Sequence, residues 1–232
     1  MNARQRAGSV VLLASGVLMT FALPGSAMGA VSHSHSPNFA GYQVNDAPKT
    51  GTVTFSLPQL TCSATNEGFV PSLVFTNFTT NEFTSAGIYV QCLGGVANYG
   101  SLVEINDHFS YLSQNLSSGD RVRLNITVTA TSTTVAIADL TNHSTVKSKV
   151  SGINGGGAFT GASVGCNKIG SPGEPIAPFT SLAFTAIMVN GAPLGAGGTL
   201  FASDMYNGTT LQIRAGGLAS TGTHFSTTFV AS

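Results

Sequence analysis

Charge is what this sequence lacks most. Only 8% of its 232 residues are Asp, Glu, Lys or Arg, where an average soluble domain has about 25%. Nine basic and nine acidic residues cancel. Without a basic patch or charged arm the chain has nothing to neutralise phosphates, which excludes nucleic acid as a partner. Trp is absent altogether. Cysteine is scarce: Cys62, Cys92 and Cys166 are the whole set. Their spacing fits no tetrahedral zinc site, and no Cys-x-x-Cys supports redox exchange. No metal and no cofactor are therefore expected. After residue 23 there is no long apolar run, so no membrane association is expected once the N-terminal segment is removed.

That segment reads as an export signal, residues 1–30. Arg4 and Arg6 make a positive start, and Val10 to Leu23 is an uncharged, mostly apolar stretch of 14 residues. Such a length suits a signal-peptide core and is short of the about 20 residues a spanning helix needs. Pro24 and Gly25 break it, and cleavage is expected at or near Ala27. The mature chain keeps seven basic residues against nine acidic, a net charge near −2. The expected location is extracellular, where a disulfide can form.

What is abundant points to strands. An apolar fraction of 42% is too high for a disordered chain. Residues 31–37, with Ser32-His33-Ser34-His35-Ser36, read as a polar linker, and 38–232 as one domain. Val122, Leu124, Ile126 and Val128 alternate with Arg121, Arg123, Asn125, Thr127 and Thr129. Val53, Phe55 and Leu57 alternate with Thr52, Thr54 and Ser56. This period of two gives a strand one wet face and one core face. Shorter runs recur at Phe69–Phe75, Ala86–Val90, Val135–Leu140, Leu182–Val189, Leu211–Ile213 and Phe225–Val230. Turn residues separate them, as at Ser118-Gly119-Asp120, Asn142-His143 and Asn190-Gly191. Short strands with frequent turns and no capped helical period predict an all-β sandwich or barrel.

Chemical motifs are few. Gly161-Ala162-Ser163-Val164-Gly165 matches the nucleophile-elbow pattern. That device needs a helix after the serine, whereas Gly170, Pro172 and Gly173 follow here. Glu104 and Asp107 form the nearest carboxylate pair. Three residues apart on a strand they point to opposite faces, so a solvated edge with a turn is expected. His108, His143 and His224 are scattered and read as surface residues. Asn77, Asn115, Asn125, Asn142 and Asn207 each open an N-x-Ser/Thr sequon, as chance supplies in a chain rich in these residues.

A series of segments, in order, resembles the glutamic peptidase (eqolisin) family of acid proteases, its bacterial members above all. Asn38-Phe39-Ala40-Gly41-Tyr42 is similar to the family's Asn-Trp-Ala-Gly-Tyr opening. Val53 to Cys62 is similar to its next strand, and Ala86-Gly87 through Gly95 to its Gln-x-Gly block with a following Cys. Leu102-Val103-Glu104-Ile105 stands at an aromatic block ending in Glu. Ser118 to Val122 resembles the Pro-Gly-Asp hairpin, Ile137 to Asn142 a later strand, and Phe179 to Leu194 the late Val-Asn-Gly hairpin. The likeness spans about residues 38–195.

The resemblance implies a concanavalin A-like sandwich of two curved antiparallel sheets. It also implies a Cys62–Cys92 bridge, with Cys166 left over. The family works with a Glu as general base and a Gln that helps to hold the oxyanion. The matching positions here are Ser85 for the Gln and Ser163 for the Glu. A serine hydroxyl cannot replace a carboxylate as base. The resemblance implies a cleft rich in Trp and Tyr, where Phe39, Leu102 and Val103 stand here; the candidate cleft residues are Phe39, Tyr42, Tyr89, Tyr99 and Glu104. No catalytic residues are therefore expected, and the cleft is expected to serve binding or structure, its occupant a polypeptide or a polysaccharide. Two alternatives stand beside this: an active acid endopeptidase with a displaced carboxylate, Glu104 or Glu174, or a carbohydrate-binding module.

Overall fold

A computed structural model describes residues 31–63, 67–77, 79–80, 82–105, 108–151, 157–163, 175–196 and 198–231. Cys166 and Glu174, the export segment and the turn at 106–107 lie outside these. Among the described residues there are sixteen strands and no helix. In chain order they are β1 (His33–Ser36), β2 (Phe39–Asn45), β3 (Thr50–Ser56), β4 (Glu67–Asn77), β5 (Glu82–Leu93), β6 (Val96–Ile105), β7 (His108–Leu112) and β8 (Arg121–Val128). There follow β9 (Ser132–Asp139), β10 (Ser144–Ser151), β11 (Gly157–Ser163), β12 (Leu182–Val189), β13 (Ala192–Pro193), β14 (Thr199–Asn207), β15 (Thr210–Ala215) and β16 (Phe225–Phe229).

Alternation creates these strands. In β8, Val122, Leu124 and Ile126 are fully buried while Arg121 and Arg123 are exposed. Its neighbour β3 pairs Val53 with Leu124 and Phe55 with Val122, so both strands turn apolar side chains the same way. Turn chemistry closes the hairpins. Asn190 (φ 53°) and Gly191 (φ 77°) both adopt the left-handed backbone that joins β12 to β13, and the Asn190 carboxamide oxygen accepts from Lys49 N and Thr50 N.

Hydrogen bonding runs in one path, β10-β9-β8-β3-β12-β16-β15-β14-β2-β11-β4-β5-β6-β7. The path folds back at the β14–β15 hairpin, where the register shifts between Met205 and Tyr206. Strands equally far from the two ends then lie face to face: β16 over β2, β3 over β4, β8 over β5. Tyr42 of β2 packs on Phe225 of β16 at 4.8 Å, a Cβ on Gly51 of β3 would strike Phe75 of β4, and β5 contacts β8 and β9. The fourteen strands of the path form a sandwich of two seven-stranded antiparallel layers, to which β1 adds in parallel beside β14 and β13 pairs with β12. The core between them holds Phe55, Phe184 and Phe225 in ring contact, with Leu73, Phe75, Ile88, Ile126 and Ile137 buried around them.

Two expectations are corrected. His33–Ser36 is a strand, not a linker: β1 runs parallel to β14 over Ala202–Met205. His33 Nδ1 lies 3.0 Å from Asp204 Oδ1, and the His35 ring stacks on Tyr206 at 3.9 Å. These contacts hold a polar segment that has no apolar pattern of its own. Glu104 is not on a solvated edge. It sits inside β6 and is 1% exposed, because β5 and β7 flank it.

Candidate functional site

The outer face of the layer from β14 to β7 is the candidate site. Register alone defines it. One row across the strands reads Phe109, Glu104, Ser85, Val74, Phe159, Gln43 and Phe201. The next row reads Tyr111, Leu102, Gly87, Ser72, Gly161, Gly41 and Ser203. The third carries Tyr89 on β5, with Val70, Ser163 and Phe39 in register on β4, β11 and β2. From β5 to β14 the middle row is thus a trough of small residues, closed at the β7 end by Leu102 and Tyr111.

The trough is shaped by backbone approach. A Cβ on Gly161 would lie 2.2 Å from Ala40 O and 2.9 Å from the Phe39 ring. The Phe39 ring therefore lies across Gly41 and Gly161, and meets Phe159 edge-on at 5.9 Å. At the other end Tyr89 covers Gly100 and meets Tyr111 edge-on at 5.4 Å. Between these aromatic walls the floor is Gly87 and Ser72, with Ser72 1% and Ser85 3% exposed. Glu104 is the one carboxylate on these rows, which carry no Lys or Arg among the described residues.

The expected cleft residues divide by strand parity. Phe39, Tyr89 and Glu104 lie on this face. Tyr42 and Tyr99 do not, because each is one residue out of phase and turns into the core side. Tyr42 is 1% exposed, donates its hydroxyl to Gly216 O at 2.9 Å and accepts from Leu218 N at 2.8 Å. Burial, with a smaller push from Asp204, holds its phenol above the usual tyrosine range despite the Leu218 hydrogen bond. Tyr99 donates to Pro58 O at 2.8 Å, and burial raises its phenol likewise. Phe159 and Gln43 are face residues that sequence reading missed. For Phe159 the signal was weak, since β11 is Gly-Ala-Phe-Thr-Gly-Ala-Ser.

Ser163 ends β11 and donates to Val70 O at 3.1 Å, so its hydroxyl serves strand pairing. Cys62 and Cys92 are joined, with Cα atoms 5.4 Å apart, and the bridge ties the end of β5 to the loop after β3. Among the described residues no group of three or more His, Cys, Asp or Glu side chains could hold a metal.

A model of the Peptidase A4 family matches residues 37–229. The chain belongs to that family. In Peptidase A4 terms the sandwich has solved counterparts. It is similar to scytalido-glutamic peptidase bound to a peptide-based transition-state analog, with a TM-score of 0.68 and 17% identity, over 83% of this chain and 98% of the other. It is similar to SCP-B, an eqolisin solved with the tripeptide Ala-Ile-His, with a TM-score of 0.66 and 17% identity over 83% and 98%. Aspergilloglutamic peptidase from Aspergillus niger matches with a TM-score of 0.55 and 19% identity, over 71% and 100%. No curated protein sequence matches the chain.

Within this Peptidase A4 fold, Ser85 and Ser163 share a face but do not meet. One strand, β4, separates them, and their partners on it, Val74 and Val70, are four residues apart. That is roughly 10 Å across the strands and roughly 13 Å along them. The midpoint of this diagonal is Ser72. Long side chains at both places would converge over Ser72, whereas a serine oxygen stands only one bond beyond Cβ.

Proposed function

We propose that this Peptidase A4 member is a secreted protein that binds an extended polypeptide across the trough without cleaving it. The observation that carries this reading is the pair Ser85 and Ser163. They occupy the two ends of the diagonal where the resemblance puts an oxyanion-holding amide and a general base. Neither hydroxyl can act as a base at the pH of such chemistry, and loss of an oxyanion donor alone costs about 10²–10³ in rate. The trough floor is Gly87 and Ser72, the Phe39 ring covers Gly41 and Gly161 at one end, and Phe159, Tyr89 and Tyr111 complete its walls. Export is supported by the N-terminal segment and by the Cys62–Cys92 bridge.

A second reading has one specific support. Glu104 is in register with Ser85 on the same face, so an acid endopeptidase with a displaced carboxylate would use it. Acid proteolysis separates the two. The purified protein is incubated with denatured substrate at about pH 2–4, and peptide binding is followed by fluorescence polarisation. Binding without cleavage is expected. Cleavage that is lost in Glu104→Gln would replace the binding reading with the enzymatic one. Binding of soluble polysaccharide in place of peptide would move the assignment to a carbohydrate module.

A further inference from the structure

We propose that β7 is a self-association edge, through which two copies of this chain pair antiparallel and join their groove-bearing layers into one sheet. Among the described residues the hydrogen-bonded path ends at β7 and β10, and the four-residue β1 adds a short edge beside β14. A free edge presents unpaired backbone groups, and natural sheets protect it with charge, proline or a bulge. β10 is protected by the exposed Lys147 and Lys149. β7 is not. Its sequence, His-Phe-Ser-Tyr-Leu, has no fixed charge and no proline. It pairs with β6 in unbroken register from Ser101–Leu112 to Ile105–His108. His108, Phe109, Ser110 and Tyr111 are all exposed, Tyr111 at 70%.

The strand is also complementary to itself. An antiparallel pair centred on Ser110 sets Phe109 of each copy opposite Tyr111 of the other, and both are on the groove face. Aromatic cross-strand pairs of this kind favour sheet pairing. A two-fold axis produces both contacts at once, as a closed dimer requires. Charge selects the edge: two β7 strands meet with no like charges opposed, while Lys147 and Lys149 repel a second β10. Tyr89, which braces Tyr111 from the same copy, places the seam at the end of the trough that Tyr111 closes, so the two groove faces lie side by side on one sheet.

Sedimentation velocity on the full mature chain tests this between about 1 µM and about 1 mM, the range of a small interface. A reversible monomer–dimer equilibrium is expected. Tyr111→Lys should weaken it at least about tenfold, since it puts charge on the edge, while the dilute monomer keeps its folded circular dichroism spectrum. Ser110→Cys, made in a Cys166→Ser background, should cross-link in air as a dimer. Opposed Cα atoms in an antiparallel pair are about 4.5–5.5 Å apart, within disulfide reach. A Thr145→Cys control on β10 should cross-link far more slowly. A chain that stays monomeric at the top concentration overturns the proposal. So does a dimer indifferent to Tyr111→Lys, or a Ser110→Cys variant no faster than the control.

Discussion

Glu104 stands directly opposite Ser85 on the neighbouring strand, and both are buried on the outer face of one layer. The pairing puts the face's one carboxylate beside the position where the resemblance expects an amide. It also leaves the far end of the diagonal, Ser163, without a carboxylate of its own.

Restoring the two long side chains should restore chemistry. The double variant Ser85→Gln with Ser163→Glu is expected to cleave denatured protein at about pH 2–4, where the parent does not. Ser163→Glu alone should run about 10²–10³ slower than the double variant, because it lacks the oxyanion donor. Peptide-release assays at several pH values read this out. A parent as active as the double variant would contradict the lost-pair account.

The Cys62–Cys92 bridge closes a separation of 30 residues. Restricting the unfolded chain over such a loop contributes about 3 kcal/mol. Reduction, or Cys62→Ser with Cys92→Ser, should lower the melting temperature by roughly 10 °C in a domain of this size. Calorimetry with and without reductant measures it, and an unchanged melting point would refute it.

Tyr42→Phe removes the hydroxyl that serves both Gly216 O and Leu218 N. A loss of about 1–2 kcal/mol at neutral pH is expected from the abandoned amide and carbonyl. The alkaline behaviour follows from the raised phenol. The folded state holds its proton longer than the unfolded one. The stability this contributes is complete below the ordinary tyrosine pKa of about 10 and disappears as pH rises through the higher folded value. Tyr42→Phe should flatten that alkaline decline in part, with Tyr99 accounting for a similar share. Ultraviolet titration of tyrosinate should show two of the five tyrosines ionising late in the parent and one in the variant.

Gly161→Ala tests the trough. The added methyl meets the Ala40 carbonyl and the Phe39 ring, and the carbonyl cannot swing aside without parting β11 from β2. A cost of about 1–3 kcal/mol is expected from overpacking, with weaker peptide binding at temperatures where the fold persists. Chemical denaturation and polarisation together read both effects. Unaltered stability would mean that the two strands are not in this close contact.

Strands with strict alternation were legible directly. Arg121–Val128 follows from its own residues, because a period of two needs only neighbours to define a wet and a dry face, whereas Leu182–Val189 changes phase at a bulge between Thr185 and Met188. Strands without apolar alternation were not legible. β1 is all Ser and His, and β11 is mostly Gly, Ala, Ser and Thr around Phe159. β11 exists because β2 and β4 satisfy its backbone on both sides, and β1 because it pairs with β14.

By itself, the sequence determined the all-β class, the order of blocks that places the chain beside the glutamic peptidases, and the serines at Ser85 and Ser163. Residue type and spacing along the chain are local, so they survive without a fold. The tertiary structure decided which side chains share a face. Tyr42 and Tyr99 went to the core, while Tyr89, Phe159 and Glu104 stayed on the trough. The physical reason is register: a shift of one residue exchanges the two faces of a strand, and register is set by hydrogen bonds between segments far apart in the chain.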